Sequence, residues 1–436
     1  MLLNELFEAA SPTSAGASQE AKELISKVDT PSAINKAVAY LNDILKKINP
    51  EQKPNDTDDM PVAESPGSDK QFAIDAIEKI AASGNEDQLN AVINFLRTAE
   101  LTELATAAIN ARLTQGVKGG LDQKLVQIVQ SLNTSFEKTE AILQQMASPD
   151  AFWDGTLLLQ SSVGNVYDQI TDPIVKELAK KMSIQLRGAM GYGPDQGPGE
   201  FMLALTGSGV DLADKSDLVL VDGKGVEVKA DNGGIVSTKT GKKSRSGGRL
   251  YSTSGYGTAV TAKLVMYEVL KKQGITDEEL QKYGWPKRID GQEIIKGGLN
   301  FNAAGVNNLN NLINNNNKIN DKRAAMQSVM AAFANGLYLE LPVGMISSFL
   351  EAVPSDGIID YQTMMKELVL LGHEYYKKQE GHDYIMIFNT QTGKFGMMGD
   401  EKTSRDIIGS NKIKVNSGMD MNDDRSKGTP QLLTNF

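Results

Sequence analysis

Residues 216–234 read SDLVLVDGKGVEVKADNGG, so Asp217, Glu227 and Lys229 stand among valines and leucines on the two sides of an Asp-Gly turn. Two carboxylates aimed at one spot repel each other unless a cation lies between them, and hard oxygen donors with positions left for water suit Mg²⁺ or Mn²⁺. A lysine beside such a site can orient the attacking water or help remove its proton. An ion that activates water and neutralises a phosphorane-like transition state is the outline of a phosphodiester hydrolase.

Whether these residues meet depends on the strands that carry them. Side chains of an extended strand alternate, which puts Glu227 and Lys229 on one face and Val226 and Val228 on the other. A hairpin loop of two or four residues would pair Asp217 with Val228 or Ala230, behind the sheet. A three-residue loop, Asp222-Gly223-Lys224, would set Asp217 across from Lys229 and Val219 across from Glu227. The glycines on both sides of Lys224 favour the three-residue loop, because such loops use a glycine at positive φ. Asp211, Asp214 and Asp222 compete with Asp217 for the same part, whereas Glu227 and Lys229 have no rivals.

Asp217, a short hairpin and then Glu227-Val228-Lys229 resemble the bipartite signature of the PD-(D/E)xK, or restriction-endonuclease-like, nuclease superfamily. Ser216 stands where the name of the family has proline. The resemblance implies an α-β-β-β-α-β core whose second and third elements hold the signature, with a further acidic residue from an upstream helix. Glu200, in GPGEFMLAL, matches that last role. TAVTAKLVMYEVLKK is the candidate for the following helix, and MMKELVLLGHEYYKKQEG with DYIMIFN for the later helix–strand pair, which makes residues 301–360 an insertion. The resemblance spans roughly residues 185–275 and 360–400 and leaves out the helical N-terminal third. It implies Mg²⁺ (or Mn²⁺) held by Asp217, Glu227 and Glu200, with Lys229 serving the attacking water and all four acting as catalytic residues on DNA.

From Lys224 to Arg249 seven basic residues face only Glu227 and Asp231 in a chain whose net charge is -10. The Gly/Ser-rich run STKTGKKSRSGGRLYSTSGYG carries Lys239, Lys242, Lys243, Arg245 and Arg249 beside Tyr251 and Tyr256, a composition that can follow a phosphate backbone. Attraction to DNA must be local, since the whole chain is acidic. TKTGKKS is no nucleotide-binding loop, because Val236 and Lys243 occupy positions that need glycine and Ser or Thr. GYGPDQG has Gln196 in place of the third glycine of a dinucleotide motif, and DMNDDR has Arg425 where a calcium loop needs glycine. With no cysteine and two histidines, thiol nucleophiles and cysteine zinc sites are excluded, and His373, in a helix, and His382, in a turn, read as surface residues.

Around the hairpin the chain of 436 residues, 40% hydrophobic, reads as an α/β (α+β) protein with a mixed sheet flanked by helices and an N-terminal all-helical region. Residues 1–49 hold amphipathic helices, 50–69 are a linker rich in Pro, Asp and Ser, 70–150 form a helical bundle, and 151–436 form the α/β domain. The Asn-rich tract 303–321 reads as a surface excursion within the insertion, with Leu309 and Leu312 able to seed a helix. DYIMIFNTQTGKFGMMG reads as a second hairpin with Thr392-Gly393 at its turn, KIKV as a strand and MNDDRSKGTPQLLTNF as a polar tail. Glu5 and Glu8 stand where a secretory signal is basic, and no apolar run reaches the roughly 18 residues of a membrane span, so a cytoplasmic location with no membrane partner is expected. The acidic balance, absent cysteine and Asn-rich tract are similar to those of tailed-bacteriophage proteins. That resemblance admits a nuclease, or a virion structural or assembly protein whose nuclease-like domain only binds DNA or protein while the N-terminal helices engage partners.

Overall fold

The computed structural model describes residues 14–28, 31–48, 66–113, 120–186, 197–213, 216–231, 235–236, 243–244, 259–285, 303–338, 341–416 and 431–436. The chain divides into two compact units, residues 1–111 with 117–148, and residues 112–116 with 149–436. In the first unit, helices Ser14–Lys27, Pro31–Ile48, Pro66–Ala82 and Glu86–Arg112 bury their apolar stripes together, with Ile25, Leu41, Ile77 and Leu96 in one core. The helices before and after the expected linker are therefore not separate regions. Apolar residues three and four apart on each helix need a common partner, and each supplies the other's. Pro66–Ala82 also begins inside the expected linker, and residues 49–65 lie outside the described residues.

The second unit is built on a mixed six-stranded sheet. Its strands are β1 (Val163–Asn165), β2 (Val210–Leu212), β3 (Leu218–Leu220), β4 (Gly225–Asp231), β5 (Tyr384–Asn389) and β6 (Lys394–Met398), in the spatial order β1-β6-β5-β4-β3-β2. All neighbours are antiparallel except β4 and β5, which run parallel with Glu227 beside Ile385 and Lys229 beside Ile387. Helices α1 (Pro173–Gln185) and α2 (Pro198–Thr206) precede the β2-β3-β4 meander. Between β4 and β5 lie α3 (Ala259–Lys272), α4 (Ala303–Asn314), α5 (Lys322–Leu337) and α6 (Tyr361–Tyr375). α7 (Glu401–Gly409) follows β6, and β7 (Ile413–Asn416) pairs with β8 (Gln431–Thr434) as a separate ribbon.

Strand β5, YIMIFN, is apolar without alternation because helices and loops bury both of its faces, as is usual for a strand in a parallel pair. Its Ile385 and Ile387 join Met266, Phe333, Met365 and Leu368 in the main core of the unit. Helices α3 and α5 come so close that a side chain at Gly336 would lie 2.3 Å from the Ala262 Cα, so small residues set their spacing. The second expected hairpin is present as β5–β6. Its Gly393 has φ +76 and lies against Tyr167 and Asn165, leaving no room for a Cβ.

Three expectations need correction. The Asn-rich tract is no surface excursion: α4 buries Val306, Leu309, Leu312 and Ile313 in the main core, and residues 301–360 supply much of that core. Asparagine is tolerated inside it because Asn310 acts as a backbone bridge, donating through Nδ2 to the Ile359 carbonyl at 3.0 Å and accepting from the Ile359 N–H at 3.1 Å. The C-terminal stretch is not polar throughout, since β8 buries Leu432 and Leu433. Both histidines are buried, His373 against the Met398 carbonyl and His382 next to β4. No described helix is long and apolar enough to cross a membrane.

Candidate active site

The hairpin that carries the signature turns through Val221-Asp222-Gly223, with Leu220 N–H donating to the Lys224 carbonyl and Gly223 N–H to the Leu220 carbonyl. The loop has three residues, as expected, but is shifted by one. Gly223 takes the positive φ, +80, so it must be the last loop residue and not the middle one. Leu218 therefore pairs with Val226 and Val219 with Gly225, which sets Asp217 level with Glu227 in place of Lys229. A shift of one loop residue moves the pairing by two positions, so parity is kept and Asp217 remains on the face of Glu227 and Lys229.

Asp217 sits just before β3, and its Oδ2 accepts the Val228 N–H at 2.7 Å. On β4, Val226 and Val228 are buried while Glu227 and Lys229 retain 13% and 20% of their side-chain exposure. Lys229 Nζ donates to Glu227 Oε1 in a short contact. Glu200 stands in the first turn of α2, where the partial positive charge of a helix start favours a carboxylate. It is 5% exposed, and its Oε2 has no hydrogen-bond partner.

Glu200, Asp217 and Lys229 feel their neighbours' charges. Burial, then the Asp217 charge, raises the Glu200 carboxyl well above the ordinary glutamate range. Burial and the Glu227 charge push the Asp217 carboxyl up to about 7. Burial pulls the Lys229 ammonium down, but the charges of Glu227, Asp217 and Glu200 outweigh it and hold the ammonium above its ordinary value. One ammonium against three carboxylates leaves two negative charges in a half-buried place. Either protons or a divalent cation must offset them.

Among the described residues no three carboxylate or histidine side chains already stand together as an ion's ligands. Glu227 Oε1 is instead engaged by the Lys229 ammonium. The donor set nonetheless fits Mg²⁺ or Mn²⁺: it is all carboxylate oxygen, and it carries an unsatisfied buried acceptor at Glu200.

No family model, curated protein or solved structure matches this chain.

Of the basic residues expected to grip phosphates, Lys239, Lys242, Arg245 and Arg249 lie outside the described residues. Lys243 belongs to a two-stranded ribbon in which Ile235–Val236 pairs with Lys243–Ser244. Asp222 is drawn away from the site to the exposed Lys224, and Asp211 pairs with Val219 on β3. Asp214 lies outside the described residues.

Two side chains to which the sequence reading gave no part in the site touch the signature. The Tyr376 ring has Lys229 Nζ 5.4 Å from its centroid, and His382 Nε2 is 3.4 Å from Glu227 Oε2. The polar turn around His382 gave no sign of this, because it is the parallel pairing of β4 with β5 that brings the turn before β5 within reach of the Glu227 side chain. The one available signal is that HEYYKKQEGHDY leads directly into a buried strand.

Proposed function

We propose that the second unit is a restriction-endonuclease-like domain of the PD-(D/E)xK kind, hydrolysing DNA phosphodiester bonds with Mg²⁺ or Mn²⁺. The observation that carries this reading is the grouping of Glu200, Asp217, Glu227 and Lys229 at β4, where Lys229 contacts Glu227, Asp217 is tied to the Val228 N–H, and the buried Glu200 and Asp217 carboxyls are both raised by their neighbours' charges. The order α2-β2-β3-β4, then helices α3 to α6, then β5, with a meander followed by a parallel strand, supports it as well.

In this reading Asp217, Glu227 and Glu200 would hold the ion. It would supply Lewis-acid polarisation of the phosphoryl group and charge compensation. Lys229 orients the attacking water and holds a proton at Nζ, because the neighbouring carboxylates outweigh burial and keep it ammonium. The Val228 N–H fixes the Asp217 carboxylate, so that one of its oxygens keeps its direction. The basic stretch 239–249 would follow the phosphates of the DNA. A cytoplasmic place in a bacterial host, or a virion, suits such a protein, as do protein partners for the N-terminal helices.

One observation favours a second reading, a phage structural or assembly protein whose domain binds DNA or protein without cutting. Lys229 and Glu227 neutralise each other, and Tyr376 and His382 cover them. The test is cleavage of plasmid and linear DNA with Mg²⁺ or Mn²⁺, beside EDTA and the Glu227→Ala and Lys229→Ala variants. Ion-dependent nicking lost in both variants is the expected result. No cleavage with any ion, the variants folded and unchanged in DNA binding, overturns the nuclease and leaves the second reading.

A further inference from the structure

We infer that Tyr376 and His382 are positioning residues for Lys229 and Glu227, an aromatic brace that fixes both halves of the E-x-K pair. The inference rests on the nuclease reading of this site.

Tyr376 opens a five-residue π-helical turn, Tyr376–Glu380, that continues α6. Such turns insert a residue into a helix at the cost of poorer hydrogen bonding, and they gather at functional sites. Gly381, at φ +79, ends the turn and swings the chain toward β5, which delivers His382 to the Tyr376 ring. The two rings stack at 5.9 Å with 30° between their planes, and both are buried, at 2% and 6% exposure.

The stack then meets the signature twice. Lys229 Nζ lies over the Tyr376 ring, where the negative face of the π system attracts an ammonium, an effect that grows as water is excluded. Glu227 has Lys229 on one carboxylate oxygen and His382 on the other. A lysine side chain is long and flexible, and a glutamate can rotate, so neither would hold a direction alone. With the brace, Lys229 keeps a seat on the ring when Glu227 turns to an incoming cation. Glu227 keeps the orientation set at Oε2 while Oε1 is released.

The test uses the full chain, with Mn²⁺ binding followed by calorimetry in the absence of DNA and plasmid nicking resolved into kcat and KM. His382→Phe removes the polar contact to Glu227 and should weaken Mn²⁺ binding by about ten- to hundredfold, the usual effect of losing a group that orients a ligand. His382→Gln, which keeps a donor, should recover most of it. Tyr376→Leu removes the ring face and should lower kcat about tenfold with little change in KM, while Tyr376→Phe, which keeps the face, should retain most of the rate. Where Tyr376→Leu fails to fold, the His382→Phe and His382→Gln pair decides.

Wild-type protein that binds Mn²⁺ and nicks DNA, with His382→Phe and Tyr376→Leu folded and unchanged, overturns this inference alone. Equal losses in the conservative and drastic variants, following lost thermal stability, reduce the pair to core packing and also overturn it. Wild-type protein that neither binds Mn²⁺ nor cuts removes the nuclease reading and this inference together.

Discussion

The Asp217 carboxylate takes the Val228 N–H at 2.7 Å where the β3–β4 ladder gives out. A side chain thus replaces a backbone acceptor in the sheet. The bond stabilises the ionised form of Asp217, yet burial and the nearby Glu227 charge prevail and leave the carboxyl titrating at about 7.

That balance makes the stability of the ion-free protein depend on pH in an unusual direction. An unfolded aspartate titrates near 3.9 (roughly), so between there and 7 the folded chain binds more protons than the unfolded one. Stability should therefore fall as pH rises through that window, and Glu200, raised for the same reason, adds to the slope. Melting temperatures between about pH 5 and pH 8 in EDTA should decline, Mg²⁺ should restore the loss at the alkaline end, and Asp217→Asn should flatten the curve. A flat wild-type profile would contradict the grouping of these carboxylates.

Glu200→Gln removes a buried charge while keeping the shape. The variant should be as stable as the wild type or more so in EDTA at neutral pH, because a neutral amide escapes the penalty that burial, and then the Asp217 charge, lays on an ionised carboxylate there. It should bind Mn²⁺ about ten- to hundredfold more weakly. Denaturant titration and calorimetry on the same sample read both effects, and a variant less stable than wild type with Mn²⁺ affinity intact would assign Glu200 to packing.

Asp231 ends β4, and its Oδ2 accepts the Thr434 N–H and hydroxyl, both at 3.0 Å, and the Asn389 amide at 3.2 Å. Asp231→Ala would leave three buried donors without this acceptor and should cost about 2–4 kcal/mol. Hydrogen exchange should then speed up first in β8 and β7. Unchanged protection there would separate the C-terminal ribbon from β4.

Leu309 lies at 0% exposure in the Asn-rich helix. Leu309→Ala should lose about 2–5 kcal/mol, the cost of a fully buried leucine, and Asn310→Ala about 1–3 kcal/mol through the orphaned Ile359 N–H and carbonyl. Chemical denaturation measures both. Losses under 0.5 kcal/mol or so would return the tract to the surface.

Local pattern was enough for the elements that make their own signal. The alternation in GVEVK, the turn glycines and the apolar DYIMIF each betray strand character at short range, and the hairpin parity that brings Asp217 to Glu227 follows from them. The loop frame was off by one residue because glycines on both sides of Lys224 satisfied the same rule, and only the φ of +80 at Gly223 distinguishes them. Asn-rich α4 was misread because composition hides spacing: Val306, Leu309, Leu312 and Ile313 make a helical stripe however polar the residues between them. Tyr376 and His382 were illegible for a deeper reason. Their role exists only across the β4–β5 pairing, and nothing in residues 225–231 states which later strand will lie alongside.

That pairing also sets an order of events. β4 emerges from the ribosome with its acidic signature complete, but its parallel neighbour, and with it the tyrosine and histidine that flank the signature, is translated only after α3 to α6. Long-range parallel pairing forms late, because the intervening chain must first be brought together. A growing chain that has reached Asp231 but not Tyr384 therefore carries the motif without the strand and the two rings that flank it, and its surroundings are complete only when β5 is in place.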